Sequence, residues 1–183
     1  MKLVYSVRQM VVVVAVVAGV ALAATQIPVR AAAVQAPTLQ AALAADAAQM
    51  GEKFAGLARV LDGKYDWRPG QGVRSVGEVL NLIVAENGML TGALTGAAAA
   101  AGRPAAITGA APMQAALRTS AATLQKTIAS LSDADLNTAA SIFGQNTTKR
   151  GAIMMVLGDQ HEHLGQSIAY ARMNSIVPPW SKQ

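Results

Sequence analysis

The chain has 183 residues, no cysteine, 52% hydrophobic residues and only 4% aromatics. That length suits one compact domain, and the missing thiols exclude a disulfide scaffold and any Cys-ligated metal. The 39 alanines favour helix over strand, and the formal net charge of +5 is carried by scattered residues.

Residues 1–23 read as a secretory signal peptide. Lys2 and Arg8 form a basic n-region, Val11 opens an apolar stretch, and Ala21-Leu22-Ala23 is an A-x-A cleavage pattern. The expected location is therefore exported, periplasmic or extracellular. An uncleaved anchor from Gln9 to Val29 is the alternative, since a spanning helix needs about 20 apolar residues. There is no twin arginine and no lipid-accepting cysteine. Removal of the leader leaves 13 basic against 10 acidic residues. No basic stripe with interleaved aromatics remains, so nucleic-acid binding has no support. After cleavage, no membrane association is expected. Residues 24–37, with Pro28 and Pro37, read as a linker, and the domain is expected over 38–183.

Four helical stripes follow. Thr38 is an N-cap, and Leu39, Leu43, Met50, Phe54, Leu57 and Leu61 mark one face of a helix ending near Asp62-Gly63. Residues 64–73 read as a loop. Ser75-Val-Gly-Glu78 is a capping box. It opens a second helix with stripes Val76, Leu80, Ile83, Asn87, Leu90, Leu94 and Val79, Leu82, Glu86, Met89, Ala93. Residues 96–112 form a low-complexity Ala/Gly/Pro crossover. A third helix from about Pro112 carries Met113, Leu117, Ser120, Leu124, Thr127 or Ile128, and Leu131. A turn or short helical piece at Ser132 and a break at Gly144 precede a fourth helix over about 147–174. Its stripes are Ala152, Val156, Asp159, His163, Gln166, Tyr170, Met173 and Ile153, Leu157, Leu164, Ile168. No strand pattern competes. The expected fold is all-α: an up-down four-helix bundle with a longer crossover between helices 2 and 3.

Three consecutive seam positions of the last helix are polar: Asp159, His163 and Gln166. Asp159 and His163 share a helix face. Glu86 lies on a seam stripe of the second helix. If the stripes face each other, Glu86, Asp159 and His163 offer one imidazole and two carboxylates to a divalent metal. The plainer alternative is a hydrogen-bonded Asp159–His163 pair, with Glu86 facing solvent. His161 falls on a different face from His163. Tyr65, Trp67, Tyr170 and Trp180 are expected to pack at the bundle ends. Arg74 and Arg172 suit either an anionic ligand or a salt bridge to Glu78 or Asp66. Neither a phosphate loop nor a nucleophile elbow is present.

Two blocks carry a family resemblance. One is Tyr65-Asp-Trp67-Arg-Pro69-Gly-Gln-Gly-Val-Arg74-Ser75-Val-Gly-Glu78-Val-Leu80, followed by Asn87. The other runs from Leu164-Gly-Gln-Ser-Ile-Ala-Tyr170 to Pro178-Pro179-Trp180-Ser181. Together they resemble the DinB-like helical-bundle proteins, over about 38–183, in a secreted branch. The resemblance implies a metal site of three histidines, at positions that fall here on Leu82, Asp159 and His163. One ligand is kept, one is exchanged for another donor, and one is lost unless Glu86 substitutes. It also implies kinship with metal-dependent thiol transferases and isomerases, in which a metal makes a nucleophile at neutral pH.

Three functions are consistent with this. The first is a non-catalytic or ligand-binding protein with a degenerate metal site and an unidentified small-molecule ligand, motivated by Leu82. The second is a divalent-metal-dependent enzyme (Zn or Ni; thiol transferase or hydrolase type) using Glu86, Asp159 and His163. The third is a structural or partner-binding protein, such as a homodimer, motivated by the Ala-rich faces.

Overall fold

The computed structural model describes residues 36–97 and 105–181. The leader over 1–23, most of the linker and part of the crossover lie outside the described residues. The chain divides into two units, Met1–Ala36 and Pro37–Gln183; the second is the helical domain. None of its described helices is long and apolar enough to cross a membrane.

Four long helices make the domain: α1 (Leu39–Val60), α2 (Val76–Thr95), α3 (Ala110–Ala129) and α5 (Lys149–Met173). A single turn, α4 (Asp133–Leu136), and two strands, β1 (Ala139–Ile142) and β2 (Gln145–Thr148), lie between α3 and α5. The caps read from sequence form as expected. The Thr38 side chain accepts from the Ala41 amide at 3.2 Å. Ser75 and Glu78 close a reciprocal capping box, with Ser75 N donating to Glu78 Oε2 at 2.6 Å. Gly96 ends α2 in the left-handed conformation.

Each long helix packs against two others, in the ring order α1–α3–α2–α5. Two apolar clusters fill the centre. One holds Phe54, Leu57, Leu61, Val76, Leu80, Ile83, Leu117 and Leu164. The other holds Ala44, Ala47, Leu90, Leu94, Leu124, Ile128, Ile153 and Leu157. Along α2 and α3 the chain passes from the first cluster to the second; along α1 and α5 it passes from the second to the first. The crossover therefore lets α2 and α3 run the same way. Helices α1 and α3 approach closely: a Cβ placed on Gly51 would overlap the Cβ of Ala121.

Two expectations are corrected. The domain is not all helix, because β1 and β2 form an antiparallel hairpin pairing Ala139 with Thr148 and Ile142 with Gln145. Its two-residue turn, Phe143-Gly144, takes positive φ at both residues, 50° and 74°, which matches the twist of a tight hairpin. Four-residue strands are too short for alternation to register, and Phe-Gly is an unusual turn pair. The apolar stripes also included residues that are not buried: Leu39, Met89 and Met173 are exposed.

Candidate metal centre

Along three of the four long helices, polar residues separate the two apolar clusters. On α2 they are separated by Glu86 and Asn87, on α3 by Ser120, and on α5 by Asp159, Gln160 and His163. This polar layer crosses the middle of the domain. Glu86 and Asn87 are each 2% exposed and Gln160 is 1% exposed, so each must find a partner or bear an unmet desolvation cost. Asn87 and Gln160 do so. Gln160 Nε2 donates to Asn87 Oδ1 at 2.9 Å. Asn87 Nδ2 donates to Ser120 Oγ at 3.0 Å, and Ser120 Oγ donates to the Leu117 carbonyl at 3.2 Å.

Glu86 is not satisfied in this way. Its Oε2 is buried and has no hydrogen-bond partner among the described residues. Its carboxyl meets the half-buried Asp159 and His163 of α5 (the facing arrangement that the seam spacing suggested). One ligand atom from each of Glu86, Asp159 and His163 lies within 4.8 Å of the other two. His163 Nε2 is 3.4 Å from Asp159 Oδ2, and its Nδ1 is 2.9 Å from Gln166 Oε1. Leu82, half-buried, precedes Glu86 by one turn on α2.

The electrostatics follow from this crowding. Burial, then the hydrogen bond and negative charge of Asp159, push the Glu86 carboxyl up from 4.5 to about 8, against smaller opposing effects of Arg74 and Gln160. Near neutral pH the two carboxyls are thus held together by a proton. A divalent cation satisfies the same demand. It has two carboxylate oxygens and an imidazole nitrogen available, the mixed donor set of Zn, Fe, Mn or Ni sites. The orphaned Glu86 oxygen and this donor set fit a metal, and the group could hold one.

The remaining candidates are placed as follows. His161 points elsewhere, an exposed side chain that reaches Asp46 at 3.0 Å. Arg68 reaches Glu78 at 3.5 Å. Trp67 packs edge-on against Tyr170, with ring centroids 5.4 Å apart and planes at 73°. Tyr65 donates to the Ala58 carbonyl at 3.0 Å. Trp180 and Pro179 come against Gly56 of α1. Tyr170 does more than pack, because its hydroxyl donates to the Arg74 carbonyl at 3.0 Å and accepts from Gln166 Nε2 at 2.7 Å. Sequence reasoning missed Gln160 and Ser167, both buried. They continue the four-three spacing Ile153, Leu157, Gln160, Leu164, Ser167, Ala171, and that spacing was the available signal.

The profile of the DinB superfamily matches residues 47–167. A DinB-like protein from Bacillus subtilis superposes with a TM-score of 0.62 at 16% identity, covering 78% of this chain and 98% of that one. A DinB-like protein from Bacillus cereus gives 0.61 at 18% identity, covering 73% and 91%. These two likenesses bear on the fold. No curated protein matches. The profile spans well over half of the sequence and contains every residue of the polar layer: the chain belongs to the DinB superfamily.

Proposed function

We propose that this protein is an exported divalent-metal-binding member of the superfamily, with Glu86, Asp159 and His163 as its ligands. The observation that carries the reading is the buried Glu86 Oε2, which lacks a hydrogen-bond partner among the described residues beside two further donor atoms. Three protein ligands leave positions open for water or a small molecule, as in catalytic rather than structural sites. Zn or Ni suits the mixed nitrogen and oxygen set. Within such a site the metal supplies Lewis acidity and lowers the pKa of a bound water or thiol. The protein's own part is to hold His163 against Asp159 on one face of α5 and to bring the buried Glu86 from α2. Export is supported by Lys2, Arg8, the apolar stretch from Val11 and the Ala21-Leu22-Ala23 pattern. The domain is read as a four-helix bundle whose long crossover lets α2 and α3 run the same way, supported by the packing ring of α1, α3, α2 and α5 and by the two clusters that each helix joins.

Leu82 favours a second reading. An aliphatic stands where the resemblance places a histidine, and the Glu86–Asp159 pair can be held by a proton alone. The protein is then a non-catalytic bundle with a binding or structural role. Metal analysis of the mature protein after incubation with Zn, Ni or Mn separates the two. One metal per chain, lost in His163→Ala, supports the metal centre. Metal-free protein under all three conditions supports the second reading.

A further inference from the structure

We infer that Gln166 and Tyr170 are positioning residues that fix the tautomer of His163, turning its Nε2 lone pair toward Glu86 and Asp159. For its effect on metal affinity the inference rests on the metal-centre reading; for the tautomer itself it does not.

The direction of the hydrogen-bond chain is set by an atom with no choice. The Arg74 carbonyl can only accept, and the Tyr170 hydroxyl lies 3.0 Å from it. That commits the single phenolic proton. The Tyr170 oxygen is then left as an acceptor, so the group 2.7 Å away on Gln166 is the amide nitrogen, donating. With Nε2 fixed on Tyr170, Gln166 presents Oε1 to His163 Nδ1 at 2.9 Å. A carbonyl oxygen accepts, so Nδ1 carries the hydrogen. In the neutral ring the lone pair is therefore on Nε2, the atom 3.4 Å from Asp159 Oδ2. A flipped Gln166 amide would set its oxygen against the Tyr170 oxygen, whose proton is already used, and lose that hydrogen bond.

The chain is held rigidly. Residues 163, 166 and 170 follow one another along one face of α5. Tyr170 is 4% exposed, and the edge of Trp67 braces its ring. Arg74 immediately precedes Ser75, the N-cap of α2. The relay thus ties the histidine on α5 to the start of the helix that carries Glu86. A ring nitrogen that donates away from the site raises the basicity of the one that faces it.

The test uses the mature protein with 15N-labelled histidine, and His161→Gln assigns the two rings. In metal-free protein, at a pH where the ring is neutral, His163 is expected to be protonated on Nδ1 and unprotonated on Nε2. Gln166→Leu and Tyr170→Phe are expected to mix the tautomers and to weaken zinc binding about 10–100-fold. Gln166→Glu keeps an acceptor at Nδ1 and stays within a few-fold of wild type. Tyr170→Phe preserves the ring contact with Trp67 and so serves even if Gln166→Leu fails to fold. A wild-type ring protonated on Nε2 would overturn the inference, as would Tyr170→Phe with unchanged tautomer and zinc affinity. Should zinc fail to bind wild type, the metal reading falls while the tautomer still decides this one.

Discussion

His163 Nε2 stands 3.4 Å from Asp159 Oδ2 across one turn of α5, and both face a buried glutamate of α2. Once Nδ1 of His163 is committed to Gln166, the neutral ring presents a third acceptor to two carboxyl groups. Three acceptors in a space this small require positive charge, from protons or from a cation. That requirement organises the behaviour of the site.

The first consequence is a pH dependence of the metal-free protein. Glu86 titrates at about 8 when folded, against 4.5 as its ordinary value. Between those limits the folded state keeps a proton that the unfolded state has released. Stability is therefore full below about pH 4.5, falls as pH rises and levels off above about 8. The loss is at most a few kcal/mol. Urea unfolding at pH 5 and pH 8.5 checks it: wild type is expected to lose stability and Glu86→Gln to lose much less. Equal slopes in the two proteins would assign the pH dependence to other groups.

The ladder Gln160–Asn87–Ser120 supports the same layer from three helices. Asn87→Leu removes the acceptor of a buried Gln160 amide. The expected cost is about 1–3 kcal/mol. Adding Gln160→Leu is expected to recover part of it, since the stranded donor is gone; a double-mutant cycle from thermal melts measures the coupling. Strictly additive costs would contradict a shared network.

Helices α1 and α3 meet at Gly51 and Ala121. A methyl on Gly51 overlaps Ala121 Cβ, so Gly51→Ala is expected to destabilise by about 1–3 kcal/mol, despite alanine's better helix propensity. Ala121→Gly in the same chain is expected to restore part of that loss. A stabilised Gly51→Ala single variant, read by chemical denaturation, would contradict the close approach.

Much of the site was legible because it obeys helix periodicity. Glu86, Asp159 and His163 fell on seam stripes by spacing alone, and Thr38 and Ser75 announced their caps. What spacing could not supply was depth and direction. It left open whether Glu86 faced solvent, because a period shows a face without showing its partner. It gave Tyr170 a packing role, because a hydroxyl's acceptor on another element leaves no trace in sequence. Gln160 escaped because a polar residue interrupts an apolar stripe even while keeping its register. The hairpin escaped because pairing between four-residue strands is settled by the positive-φ Phe143-Gly144 turn rather than by composition.

The central claim is that Glu86, Asp159 and His163 together hold a divalent metal. The most direct measurement is the thermal unfolding of the purified protein, with and without zinc, alongside its zinc content. The account predicts one zinc per chain. At a free concentration 100 times Kd, stability is expected to rise by about 2.7 kcal/mol, a shift in Tm of about 5–10 °C. His163→Ala is expected to abolish both. Zinc-free protein with an unchanged Tm, or an equal shift in His163→Ala, would contradict it.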